Sequence, residues 1–343
     1  MRHKIILTMI LLLAQAVVHA YDFQAVSERH VLSSYRKLAQ QTAELDAAAE
    51  AYCSQPTDTA LSALQDRFRS TFLAWQSVQH LRFGPVQYLA RENRFAFWPD
   101  ERGVVGRHLG RLLEDPALRQ QASDIGSKSV AVQGLSAMER LLFTGGAPPD
   151  AGSCLLLVAI GANLHDMADG IVRDWTAGDD PYVRYFITPG PSNPLYTSAA
   201  ELAGTLLNSL HTELELILTQ KLARPLDRGL QRANGKRVEG WRSNTGLPAI
   251  SANLEACHAL YRHAFAAELA GNPPHALIEA AFERASATLQ KLHMPLSKAV
   301  KDPGQRDLLV RLQAELSALK QLVAGDLATT LNLSLGFNSL DGD

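Results

Sequence analysis

The stretch 302–327, DPGQRDLLVRLQAELSALKQLVAGDL, decides the fold class. Asp302 offers a capping oxygen, Pro303 suits a first helical turn, and Gln305 completes a capping-box-like start. Leu308, Leu312, Leu316, Leu319, Val323 and Leu327 then recur every three or four residues, so one apolar stripe runs down a helix. Working outward, the segment after Thr57 repeats the spacing with Leu61, Leu64, Phe68, Phe72 and Trp75. Comparable patterns cover 24–53, 127–144, 153–175, 196–222, 248–270 and 275–292. No run of alternating β-branched residues competes with them, and the chain is predicted to be all-α.

Between these helices the turn-rich stretch 178–194 holds Pro181, Pro189, Gly190 and Pro191, which interrupt a helix. Four or five helical segments lie on either side of it. The expected organisation is an N-terminal helical bundle over 21–177, a linker over 178–194 and a C-terminal helical bundle over 195–343, two four-helix-bundle-like halves packed side by side. A second irregular stretch, 227–248, carries Arg228, Arg232, Lys236, Arg237 and Arg242 against Asp227 and Glu239. It reads either as a solvated basic loop or as an anion-binding one.

The first twenty residues read as a secretory signal peptide. Arg2, His3 and Lys4 precede an apolar run from Ile5 to Val18, and Ala20 closes a cleavage site before Tyr21. This almost wholly apolar run of fourteen residues falls short of the roughly 20 that span a bilayer, and no later stretch is expected to reach that length. Cleavage removes Arg2 and Lys4 and takes the net charge from −2 to −4. A non-specific grip on nucleic acid needs clustered Lys and Arg on a basic chain, so that class is set aside. Three cysteines, Cys53, Cys154 and Cys257, allow one structural disulfide and one remaining thiol in an oxidising compartment.

The sequence lacks the common catalytic spacings. It has no HExxH zinc-peptidase helix, no phosphate loop and no dinucleotide fingerprint, and Gly134-Leu135-Ser136-Ala137-Met138 misses the closing Gly of a nucleophile elbow. What remains are pairs one helical turn apart. His211 with Glu215 and His165 with Asp169 each share a face, as metal ligands in bundles do, although such pairs also arise as ordinary surface contacts. His258 and His263, five apart, share a face poorly.

Four segments together resemble the imelysin family: Phe97-Trp98-Pro99-Asp100-Glu101-Arg102-Gly103, the stretch from Gly134 to Phe143, Gly240-Trp241-Arg242-Ser243, and the ending from Leu335 to Asp343. The resemblance implies two four-helix bundles related by an ancient duplication, with a functional cleft between them. It also implies kinship with iron-regulated, iron-uptake-associated periplasmic proteins. The family's Gly-x-His-x-x-Glu motif keeps Gly134 and Glu139, but Ser136 stands where the His belongs. A neutral hydroxyl is a poorer ligand than imidazole for iron or zinc, so weak metal affinity is expected there.

By the same resemblance, Gly134, Ser136, Glu139, Trp98, Asp100, Arg102, Arg242 and Ser243 are expected around the cleft, with Glu139 and Arg242 in one polar cluster. Glu139 stands as a candidate metal ligand, with His211 and Glu215 as a more remote pair. Cys53 and Cys154 are expected to be bridged, leaving Cys257 free. The expected function is a periplasmic binding or accessory protein in iron or haem acquisition, not an enzyme, working with iron- or haem-uptake components. Iron or another divalent metal is the candidate cofactor. A metallopeptidase, disfavoured without HExxH, and an envelope interaction protein lacking any small ligand are the alternatives.

Overall fold

Several of the long helices begin where a side chain satisfies one of their first free amides. The computed structural model describes residues 21–117, 122–143 and 148–336; the expected signal peptide and the segment 337–343 lie outside these. Helix α1 (Ser33–Ser54) is entered through a short helix, Phe23–Val26, and a π-helical turn, Ser27–Leu32. Helix α2 (Asp58–Gln76) starts at Thr57, whose hydroxyl accepts the Ala60 amide at 3.2 Å. Helices α3 (Val104–Glu114) and α4 (Leu135–Phe143) are short, and α5 (Ala151–Thr176) is capped by Asp150. Ser198 caps α6 (Ala199–Leu216), which continues as a π-helical turn, Ile217–Ala223. Helices α7 (Gly246–Ala264), α8 (Pro273–Leu289) and α9 (Pro303–Leu322) complete the set. The described residues are all-α, with no strand among them.

In the first half α1 packs along α5 and α2, burying Leu38, Leu45, Phe68, Leu156 and Ile160 completely. In the second, α8 lies on α9 and α6 on α7, with α6–α9 and α7–α8 closing the group around Leu206, Leu254, Phe282 and Leu312. Helix α7 also rests against α2, and this contact is the seam along which the halves meet. Cys53 at the end of α1 and Cys154 in the first turn of α5 form a disulfide, with Cα atoms 5.4 Å apart, and Cys257 is free and buried. Tying residues 101 apart in sequence removes freedom from the unfolded chain.

Several sequence expectations need correction. In the deciding stretch Asp302 does cap Gln305, at 2.9 Å, but the Gln305 side chain bonds to His293 and does not return to Asp302. Leu309, not Leu308, joins Leu312, Leu316, Leu319, Val323 and Leu327 in the core. That set averages closer to the 3.6-residue helical period than the one starting at Leu308. The helix expected over 127–144 is α only from Leu135, after a 3-10 turn at Val130–Val132. The stretch 178–194 is more than a connector, because it contains the helix Tyr182–Ile187. Tyr182 meets Trp175 edge-to-face at 4.7 Å and Phe186 stacks on Phe83 at 5.8 Å, so the segment is anchored in the core. Finally, α5 is long and apolar enough to cross a membrane by length and composition, contrary to expectation, but half of its apolar window is buried within the protein. It serves as the core partner of α1.

Candidate functional site

A cleft of about 610 Å³ opens beside the seam between the halves. Its first wall comes from the Phe97-to-Gly103 segment and α4. Trp98 and Phe97 face the cleft; Asp100 also lines it and accepts the Val104 and Val105 amides at 2.7 and 3.0 Å, capping α3. Ser136 and Glu139 approach from α4. Ser136 donates its proton to the Phe97 carbonyl at 3.1 Å, so at the position where the family motif has His the side chain ties α4 to the aromatic segment. Gly134 does not line the cleft. A Cβ there would lie 2.2 Å from the backbone oxygens of Arg94 and Phe95, so this glycine is what lets α4 begin against that backbone. Arg102 also lies off the cleft; its carbonyl accepts from Arg107.

The opposite wall is the stretch 236–242, with Arg224 from the end of the α6 continuation. The basic loop is therefore a wall of the cleft as well as a solvated surface. Arg242 stacks on Trp241, its guanidinium carbon 4.2 Å from the ring centroid, and Lys236 Nζ lies 6.0 Å from the same centroid. Arg224 pairs with Glu101 at 3.1 Å across the two walls. Gly240 has φ +66°, and a Cβ there would strike the Thr245 hydroxyl at 2.1 Å, so the turn that presents Trp241 requires glycine.

Glu139 is only 7% exposed. Its Oε1 accepts from the Ser243 amide at 3.0 Å and the Ser243 hydroxyl at 2.7 Å. A hydroxyl has one proton; with Ser243's committed to Glu139, the 2.9 Å contact to Thr245 is donated by Thr245. Burial pushes the Glu139 carboxyl above its usual range, while the Ser243 bonds and, less strongly, Arg242 oppose the rise. Glu139 and Arg242, expected in one polar cluster, both line the cleft, but Ser243, itself buried behind it, is the direct hydrogen-bond partner of Glu139, and Arg242 acts on the carboxylate through its field. Burial and the Arg140 charge both lower the affinity of Arg242 for its proton.

The other candidate ligands are dispersed. Glu215 pairs with Lys320, and Asp169 with Arg173 at 3.0 Å. His258 pairs with Glu279 at 2.9 Å and stacks on Phe282. Among the described residues no three His, Cys, Asp or Glu side chains converge as a metal-ion site.

Two buried polar groups escaped the sequence reading. Lys221, in the π-helical turn after α6, is 2% exposed and reaches Gln79 and Asn253 at 2.7 Å, Gln76, and Glu239 at 3.0 Å. The Glu239 oxygen meets Lys221 as an ion pair by distance but off the hydrogen-bonding angle. Glu213, completely buried nearby with neither oxygen bonded, has its carboxyl pushed up by burial, against the pull of Lys221 and Arg82. Lys221, set among Leu216, Ile217, Leu218, Leu222 and Leu226, was the available signal. The second group is a histidine pair. His30, on the first π-helical turn, and His80, after α2, meet Nε2 to Nε2 at 2.7 Å, with the His263 ring 6.0 Å from that of His30.

The architecture and site define an all-helical protein with a cation- and aromatic-walled cleft at the seam of two helical groups. Its sequence matches the imelysin (Peptidase_M75) family over residues 31–323, and the chain belongs to that family. Over 250 residues it is 23% identical to Iron-regulated protein A of Synechococcus elongatus (strain ATCC 33912 / PCC 7942 / FACHB-805). That match covers 72% of this chain and 65% of the relative, just under two thirds of its length. The fold is similar to the crystal structure of an imelysin-like protein from Psychrobacter arcticum 273-4, with a TM-score of 0.77, 21% identity, and coverage of 92% of this chain and 96% of that one. It is also similar to a putative iron-regulated protein A precursor from Parabacteroides distasonis ATCC 8503, with a TM-score of 0.71, 13% identity, and coverage of 89% and 94%.

Proposed function

We propose that this chain is an exported, periplasmic binding or accessory protein in iron or haem acquisition, with its ligand in the cleft between the two helical bundles. The observation that carries the reading is the Arg242–Trp241 stack facing Trp98 and Glu139 across one cavity, because convergent charged and aromatic groups in a concave site are what small-ligand recognition uses. The iron setting rests on the names of two relatives, and export rests on the signal-peptide-like first twenty residues and on the description of one relative as a precursor. Its partners would be other iron- or haem-uptake components. Peptidase activity is disfavoured: Ser136 donates to a carbonyl and Ser243 to a carboxylate, and neither bonds an imidazole that could activate it. The bundles on either side of 178–194 are proposed to descend from one duplicated unit, which superposition of the two halves tests.

Trp98 and Trp241 both line the cleft, so intrinsic fluorescence reports on its occupancy. Titration with ferrous iron, ferric citrate and haemin should give saturable quenching with at least one of them. The response should disappear when Trp98 and Trp241 are both replaced by Phe, if quenching arises in the cleft. Unchanged fluorescence with all three ligands, at concentrations reaching 1 mM on the order of the weakest physiological affinities, would refute the reading.

A further inference from the structure

The cleft's acidic groups are each engaged by the protein, whereas two of its cations are not. Asp100 accepts two backbone amides, Glu101 holds Arg224, Glu139 holds Ser243, and Glu239 is bonded to Gln76 and paired with Lys221. By contrast, among the described residues the Arg242 guanidinium and the Lys236 ammonium have no hydrogen-bond or ion-pair partner: both lie against the Trp241 ring, and Arg242 feels Glu139 and Asp100 only through their fields. Stacking occupies the face of a guanidinium and leaves its N–H edge directed outward in the plane, a fork that fits a carboxylate with two parallel hydrogen bonds. Arg140 reinforces the positive field at this point. A bare metal ion would need several converging donors, and the described residues gather none.

We propose that the cleft recognises a small ligand bearing several carboxylates, through the Arg242 fork, the Lys236 charge and the Trp241 ring, and that any metal arrives already chelated by that ligand. This rests on the cleft being the binding site. A hydroxycarboxylate chelate of ferric iron and a haem with its propionates present the same carboxylate chemistry, and the two are separated by assay.

The test is binding of citrate, ferric citrate, haemin and, alone, ferrous iron to the full chain. The variants are Arg242→Gln, Lys236→Gln and Glu139→Gln, with circular dichroism as the check on folding. At least one carboxylate probe should bind, and Arg242→Gln should weaken it roughly 10–100-fold, the usual scale for a lost charged hydrogen-bonding pair. Lys236 is exposed, so Lys236→Gln tests the charge without disturbing the core, and it should weaken binding several-fold. Preference for ferric citrate or for haemin identifies the source of the carboxylates. Binding of ferrous iron alone, lost in Glu139→Gln and kept in Arg242→Gln, would overturn the carboxylate proposal while leaving the cleft as the site. Carboxylate binding unchanged in both cation variants would overturn the proposal and the cleft assignment together. Failure of every carboxylate probe to bind the native chain would also overturn the proposal.

Discussion

Acid should loosen this protein through the buried pair His30–His80. Both rings are buried, and one neutral imidazole must donate to the other across 2.7 Å. Burial, with a smaller contribution from His263, lowers His30 from 6.5 to about 4, and burial, with a smaller contribution from His30, holds His80 well below its ordinary value. The groups facing the pair include His263 from the last turn of α7, whose own proton affinity is lowered by burial and by Arg29. The unfolded chain therefore binds a proton at His30 once pH falls below its ordinary value, while the folded chain does not until about pH 4. Stability is unaffected by this group above pH 6.5, falls as pH drops from 6.5 to about 4, and levels off below. At about 1.4 kcal/mol per tenfold change in proton affinity, His30 alone accounts for about 3 kcal/mol over that window. Urea unfolding of the native chain and of His30→Gln at closely spaced pH values isolates the effect from other carboxylates and histidines. The variant should be less stable near pH 7, and the gap should shrink by about 3 kcal/mol by pH 4, as derived from the His30 shift. Parallel curves for the two proteins across the window would refute the reasoning.

Other perturbations probe the seam and the motif. Lys221→Met leaves Glu239 buried without its cation and should cost about 3–5 kcal/mol in denaturant unfolding; a cost under 1 kcal/mol, on the order of an exposed pair, would show the site to be hydrated. Gly134→Ala drives a methyl into the Arg94 and Phe95 carbonyls and should cost about 1–3 kcal/mol or more, with an unchanged melting temperature as the contrary result. Ser243→Ala removes a donor from Glu139, which should destabilise the chain by about 1–3 kcal/mol at neutral pH and raise the Glu139 proton affinity further, read by carboxyl titration in infrared spectra. Ser136→His should raise zinc affinity in chelator competition, since it adds an imidazole three residues before Glu139; no gain would mean that Glu139, held by Ser243, does not turn toward the metal.

The helices were legible because their signals are local. A stripe such as Leu64, Phe68, Phe72 and Trp75 needs only the helical period, and Thr57 and Asp302 marked helix starts from their own chemistry. Helix α3 was missed because Gly103, Gly106 and Gly110 interrupt its short apolar pattern, and the cap comes from Asp100 outside the usual position. For the site, resemblance placed Trp98, Asp100, Ser136, Glu139 and Arg242 around one cleft, and the structure brings these five together. Pairing within it was not legible. A buried carboxylate next to an arginine-bearing turn suggests an ion pair, but the backbone turn after Gly240 swings Arg242 onto Trp241 and delivers the Ser243 amide and hydroxyl to Glu139 instead. The His30–His80 contact spans 50 residues and the Lys221–Gln76 contact spans 145, separations that no sequence period encodes.

The central claim is that the seam cleft holds the ligand, and the most direct measurement is a crystal structure with ferric citrate or haemin bound, with anomalous data collected at the iron absorption edge. The account predicts an iron peak inside the cleft, with ligand carboxylate oxygens on the Arg242 guanidinium and the chelate against Trp241. An iron peak at His211 and Glu215, at the His30–His80 pair, or anywhere else outside the cleft would contradict it.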